Sequence, residues 1–184
     1  MIDLEFKSTQ IIFNGQTARE VIVRDITLQK EEIENVKRLA YQDELTGLPN
    51  RRALMEQVME ILDSSDNLNN RFCLMFIDLD GFKQVNDTFG HQVGDSLLKH
   101  VGDKFRKCVA NKGIVARLAG DEFIILLQNI SQEEHILVAK EIIESFRSPN
   151  IVLGKEVQVT ASIGIAIHPQ HGCDATELFK NADI

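Results

Sequence analysis

Nowhere in this sequence do apolar residues run for the ~20 positions that a membrane-spanning helix needs. Its start, Met1-Ile2-Asp3-Leu4-Glu5, lacks the basic segment and apolar stretch of a secretory leader. Positive charge is scarce: 20 Lys plus Arg stand against 28 Asp plus Glu, a formal net charge of -8. No cluster of basic residues interleaved with aromatics occurs, which excludes the usual footprint of a nucleic-acid or anionic-membrane surface. Cysteine is also sparse. Cys73, Cys108 and Cys173 are odd in number and far apart, without the paired spacing of a zinc site or disulfide framework. They read as small buried hydrophobes in a reducing compartment, so a cytoplasmic chain is expected, with no direct membrane contact in this stretch. With the global field repelling anions, any phosphate-bearing ligand must be held through a metal, backbone amides or a few isolated cations.

What is present is enough apolar matter for a sizeable core: 43% of 184 residues are hydrophobic, which favours one domain with a fragment of another. From Leu4 to Phe13 and from Arg19 to Arg24 the pattern is strand-like around Asn14-Gly15, a strong hairpin turn. Such a hairpin is marginal alone and is expected to be the exposed end of a larger sheet. Thr27 is placed to cap a helix from Leu28 to about Tyr41. In that helix Ile26, Ile33 and Ala40 recur every seven residues with Val36 between them, a short seam fit for a dimerising coiled coil. The expected organisation is therefore a sensor-like fragment over 1–27, a helical linker over 28–42 and a main domain over 43–184.

In the main domain, Leu54, Val58, Ile61 and Leu62 mark a helix from Arg51 to Leu62. The apolar run Arg71 to Ile77 is a strand that breaks off into Asp78-Leu79-Asp80-Gly81. A helix from about Gly94 to Val109 carries Leu97, Val101, Phe105 and Cys108 on one face. Ile114 to Leu118 and Phe123 to Leu127 flank Ala119-Gly120-Asp121-Glu122 as a hairpin. Ser131 with Glu134 forms a capping box for the next helix. Ile151 to Leu153 and Val157 to Ile167 form a last hairpin around Gly154-Lys155, and a further helix starts near Asp174. The order strand, helices, strand, strand, helix, strand is the split βαβ arrangement of a ferredoxin-like α+β fold, with helices expected to cover one face of a largely antiparallel sheet.

That topology sets the first strand beside the central hairpin, so Asp78 and Asp121 can converge. Two carboxylates on adjacent turns make a hard oxygen site suited to magnesium rather than to zinc or copper. Beside them Gly81-Phe82-Lys83 opens a helical turn whose free amides and one lysine can cradle phosphates. Metal plus nucleotide is the chemistry this combination points to. His91 reads as a turn residue with a structural hydrogen bond, and His168 and His171 as surface-loop residues near Pro169.

The stretches Phe76-Ile77-Asp78-Leu79-Asp80-Gly81-Phe82-Lys83, Asn86-Asp87-Thr88-Phe89-Gly90-His91, Gly94-Asp95 and Arg117-Leu118-Ala119-Gly120-Asp121-Glu122-Phe123 resemble the defining motifs of the GGDEF diguanylate cyclases. So do Asp43-Glu44-Leu45-Thr46-Gly47-Leu48-Pro49-Asn50-Arg51, Ala161-Ser162-Ile163-Gly164-Ile165-Ala166 and Asn181-Ala182-Asp183. Val21-Ile22-Val23-Arg24-Asp25-Ile26-Thr27 resembles the closing strand of PAS sensor domains. The first resemblance implies a nucleotide-cyclase-like fold and the condensation of two GTP into cyclic di-GMP by a homodimer. Asp78, Asp121 and the Leu79 carbonyl would hold two magnesium ions per site, with manganese a possible substitute. Glu122 would assist loss of the attacking hydroxyl's proton or complete the metal site. Asn86 and Asp95 would read guanine, and Lys83, Phe82 and Gly120 would contact the phosphates and ribose.

Two departures stand out. The family's first glycine is Ala119 here, harmless at an ordinary φ and damaging at a positive one. The Arg-x-x-Asp product-inhibition motif falls on Ala110 and Gly113, so that site is expected to be missing. The family continues beyond the pair matched by Ala182-Asp183 into a helix supplying a lysine and an arginine, and the sequence stops at Ile184; weak GTP binding and slow turnover are expected of this exact chain. The rival readings are a GTP-binding regulatory module controlling an attached downstream phosphodiesterase domain, and a purely structural dimeriser.

Overall fold

The computed structural model describes residues 2–13, 16–63, 71–128, 131 and 133–183, so the expected Asn14-Gly15 turn lies outside the described residues. The chain divides into two compact units, Met1–Ala40 and Tyr41–Ile184. In the first, strands β1 (Leu4–Phe13) and β2 (Gln16–Asp25) pair antiparallel from Leu4 opposite Asp25 to Phe13 opposite Gln16. Helix α1 (Thr27–Tyr41) follows and buries none of its residues. The helix start differs from the expectation. Thr27 is already helical, and Asp25 does the capping, its Oδ1 accepting from the Thr27 amide at 2.9 Å and hydroxyl at 2.6 Å. Those two hydrogen bonds, the hydroxyl's first, hold the Asp25 carboxyl below its ordinary range. A carboxylate two residues back reaches the first free amide as readily as the threonine's own hydroxyl does.

The second unit runs α2 (Arg51–Asp63), β3 (Phe72–Asp80), α3 (Phe82–Phe89), α4 (His91–Val109), β4 (Gly113–Ala119), β5 (Glu122–Gln128), α5 (Glu134–Ser145), β6 (Asn150–Val152), β7 (Lys155–Val157), β8 (Thr160–His168) and α6 (Ala175–Ala182). Four of these strands form one antiparallel sheet in the order β4-β5-β3-β8, the ferredoxin-like order expected of the split βαβ pattern.

Helices cover both faces of this sheet, not one. Cys73, Met75, Ile77 and Leu79 of β3 pack with α4 and α5 residues such as Leu97, Phe105 and Ile142. Phe72 and Leu74 pack on the other side with Leu54 and Val58 of α2 and Leu178 of α6. The cause is legible in β3 itself: Phe72-Cys73-Leu74-Met75-Phe76-Ile77 does not alternate apolar with polar, so each pleat face presents hydrocarbon and each requires cover. Phe105 anchors the first core edge-on against Phe123, centroids 5.2 Å apart, and against Phe146 at 5.9 Å.

Several boundaries move. The segment read as one strand from Val157 to Ile167 is two: β7 pairs only with β6, and β8 joins the main sheet. Helix α4 begins at His91, so His91 opens a helix, after Gly90 at φ 85. The Ser131 amide donates to the Glu134 carboxylate at 2.7 Å, one half of the expected capping box. At α6, Asp174 caps by accepting from the Glu177 amide at 2.9 Å. His168 is buried rather than on the surface, stacked on Phe72 at 4.9 Å. Of the free cysteines Cys73 is buried, its thiol pushed up to about 12 by that burial, Cys108 is half-buried, and Cys173 is exposed, contrary to the buried reading.

Candidate active site

One end of the sheet collects the acidic residues. Strand β3 is fully buried from Phe72 to Met75 and then alternates, with Asp78 half-buried between Ile77 and Leu79 and Asp80 exposed at the strand's end. Glu122, the first residue of β5, lies directly opposite Asp78, and Ser162 of β8 lies opposite it on the other side. Residues so paired share a face with Cβ atoms about 5 Å apart. Gly120-Asp121 forms the turn between β4 and β5, with Gly120 at φ 52 where only glycine is unstrained. Burial, then the charge of Asp121, then that of Asp80 raise the Asp78 carboxyl above its usual range. Register and turn thus set Asp78 and Asp121 at the same end of the sheet, where their like charges act on one another. Asp80 is tied off separately, accepting from the Thr160 hydroxyl at 2.6 Å and the Ser162 hydroxyl at 2.8 Å.

The signature turn is held from beneath by Arg117, a residue whose part the sequence did not disclose. Its Nε and Nη2 donate to the Gly120 carbonyl at 3.0 and 2.8 Å, and its Nη1 donates to both Asp43 oxygens at 2.9 and 3.1 Å. Asp43 also accepts from the Thr46 amide at 2.8 Å and hydroxyl at 2.6 Å. Burial alone would push the Asp43 carboxyl up, but Thr46 and Arg117 together hold it below the ordinary range. The clamp joins residues 74 apart in sequence, so no local pattern could reveal it. A bulge between Arg117 and Ala119 aims this strand end. Ala119 is exposed and is not among the described residues of positive φ, so its methyl carries no backbone strain.

The residues expected to meet a nucleotide sit on the α3–α4 corner. Gly81 at φ 82 turns the chain from β3 into α3 and caps it without any side-chain hydrogen bond, leaving the first amides free. Phe82 sends its ring into the core, so only its backbone is available to a ligand, while Lys83 is exposed. Asn86 is half-buried, Asp95 is exposed one residue beyond the buried Gly94, and Leu79 offers a carbonyl while its side chain is buried.

Chemically the edge fits a hard divalent cation, since it gathers carboxylate oxygens, and burial together with their mutual repulsion raises the Asp78 carboxyl. Among the described residues no group of three or more His, Cys, Asp or Glu side chains is gathered to hold a metal unaided. Asp78, Asp121 and the Leu79 carbonyl would be an incomplete set that a nucleotide's phosphates fill. At the former inhibition motif, Ala110 is at φ 47, and a Cβ on Gly113 would collide with the Leu126 carbonyl, so no acidic side chain fits there in this backbone.

A ferredoxin-like sheet with paired carboxylates at the end of its central strand, beside an uncapped helix start, defines a nucleotide-cyclase type of domain. The chain belongs to the GGDEF family: the profile described as "Diguanylate cyclase, GGDEF domain" matches residues 40–184. It is 39% identical over 166 residues to the signaling protein YkoW of Bacillus subtilis, covering 89% of this chain and 21% of that protein. To the cyclic di-GMP phosphodiesterase PdeR of Escherichia coli it is 38% identical over 178 residues, 95% of this chain and 27% of that protein. The chain thus spans about a fifth to a quarter of the length of these relatives. The solved GGDEF domain of TpbB from Pseudomonas aeruginosa superposes with a TM-score of 0.74 at 34% identity, covering 78% of this chain and 84% of that one. The coiled coil and GGDEF domain of DgcB from Caulobacter crescentus, solved with cyclic di-GMP, gives 0.75 at 26% identity over 86% and 84%.

Proposed function

We propose that this chain is the GTP-using output domain of a cytoplasmic cyclic di-GMP signalling protein, and that two copies condense two GTP into cyclic di-GMP and two pyrophosphates. The observation that carries this is the convergence of Asp78 and Asp121, with Glu122 opposite Asp78, at one sheet edge beside free amides. Asp78, Asp121 and the Leu79 carbonyl would hold magnesium, or manganese in its place. Such a cation would supply neutralisation of phosphate charge during in-line displacement. The residues do the rest. The α3 amides and Lys83 orient the triphosphate, Asn86 and Asp95 select guanine through its donor and acceptor edge, and Glu122 takes the proton of the attacking 3'-hydroxyl. That oxygen bonds to the α-phosphorus of the GTP held by the other copy as the bond to pyrophosphate breaks. A second, reciprocal step closes the ring. Each domain carries one GTP, so the α1 seam would bring two copies face to face, following a PAS-like sensor fragment.

A second reading is a GTP-binding module that regulates an attached phosphodiesterase domain. It is favoured by Ala119 in place of a glycine and by relatives, PdeR among them, named as phosphodiesterases. Incubating the protein that carries this chain with magnesium and GTP separates the two. Formation of cyclic di-GMP supports the cyclase, GTP binding without product supports the regulatory module, and no GTP binding rejects both.

A further inference from the structure

Helix α4 passes beneath Asn86 at Gly94, and there the helix has no room for a side chain. A Cβ built on Gly94 would fall against Asn86 Oδ1 far inside contact distance, 3.0 Å from its Cγ and 3.4 Å from Cε2 of Phe82. The backbone does not ask for glycine: Gly94 lies inside α4 and is not among the described residues of positive φ. Glycine in a helix interior is disfavoured against alanine, so a helix keeps it only for a reason outside the backbone. What fills the space is the Asn86 amide. The Asn86 carbonyl is fixed by the Gly90 amide at 2.9 Å, yet its side-chain amide makes no hydrogen bond among the described residues. Its position is set by packing and its donors and acceptor are unspent, and Asp95 is the next residue along α4.

We infer that Gly94 is a positioning residue for base selection: the absent side chain lets the Asn86 amide lie on α4 beside Asp95, where the two can address one base edge together. This rests on the reading of Asn86 and Asp95 as the guanine contacts. A methyl at 94 meets the far end of a two-torsion side chain rather than backbone, so the amide swings aside while the helix stays intact.

The test is titration of GTP and of ATP, with magnesium, into the wild-type protein, Gly94→Ala, Asn86→Ala and the double variant, each checked by thermal unfolding. Gly94→Ala should weaken GTP at least tenfold and leave ATP unchanged, with Tm no lower than wild type. Asn86→Ala should show a similar loss, and adding Gly94→Ala to it should remove nothing more, because the two changes disable one contact. Undiminished GTP preference in Gly94→Ala, or losses that add in the double variant, would overturn the inference. Should Gly94→Ala not fold, folding of the double variant upholds it, and a double variant that stays unfolded overturns it. A wild-type protein binding GTP and ATP alike would instead remove the guanine reading of Asn86, and this inference with it.

Discussion

The two units of the chain use apolar residues in opposite ways. In Tyr41–Ile184 they fill two cores, one on each face of a four-stranded sheet, and polar residues gather at one edge. In Met1–Ala40 they stay outside: Phe6, Val21, Ile22, Val23, Val36 and Leu39 are all exposed, and α1 buries nothing. Three consecutive exposed apolar residues in β2 put hydrocarbon on both faces of a two-stranded ribbon, which cannot bury it. One unit has its own interior, while the described residues of the other bury almost nothing. The proposed chemistry divides the same way, since the carboxylate edge lies in Tyr41–Ile184 while the exposed seam of α1 is suited to joining copies.

The sharpest way to break this comparison is to truncate matched side chains. Phe123→Ala should cost about 3–5 kcal/mol in denaturant unfolding of the second unit, because a fully buried ring packed on Phe105 is lost. Val21→Ser in β2 should change it by less than about 0.5 kcal/mol. Equal effects would mean the units share a core.

Next in size is the clamp under the signature turn. Arg117→Ala should destabilise by about 2–3 kcal/mol, since it strands the Asp43 carboxylate and the Gly120 carbonyl. Its pH dependence has a definite sign. Asp43 is held below its ordinary range in the fold, so its contribution is full above the unfolded value of about 4 and is lost as the pH falls below it. Urea unfolding at pH 7 and at pH 3 should show a smaller drop for Arg117→Ala than for wild type; an equal drop would mean the pair is not what holds Asp43.

How much of this could be read from the residues follows from the same division between local and distant. The Asp78 and Asp121 edge was legible because a strand that stops at carboxylates and a Gly-Asp turn are local patterns, and the strand order followed from the sequence of elements. The second helical layer was missed, although β3 shows it: a six-residue apolar run has no polar face to leave in water. The role of Arg117 is hidden in the sequence, because its partner Asp43 is 74 residues away. Gly94 was likewise a motif letter until α3 and α4 were packed together. Thr27, His91 and His168 went astray at element ends, where one residue of shift changes a cap into a helix or a loop into a strand.

A smaller effect separates stability from function within the active edge. Asp78→Asn should leave Tm unchanged or raise it by the equivalent of at most about 1 kcal/mol, after solvent screening, by removing one of two repelling carboxylates. The same change should weaken magnesium-GTP binding. A marked loss of stability would mean that Asp78 is a structural rather than a cation-holding group. Smallest of all should be the response to product. With Ala110 and Gly113 at the inhibition motif, added cyclic di-GMP should leave the initial rate within twofold, and strong inhibition with an otherwise open active site would contradict that.

The central claim, that this acidic edge cyclises GTP between two copies, is tested most directly by the rate of cyclic di-GMP formation per chain as chain concentration rises, for the wild type and for Asp121→Ala at saturating magnesium and GTP. The account predicts a specific rate that climbs with concentration and then levels off as dimers fill, and at least a hundredfold loss in Asp121→Ala. A specific rate independent of concentration down to nanomolar chain, or cyclic di-GMP made at the wild-type rate by Asp121→Ala, would contradict it.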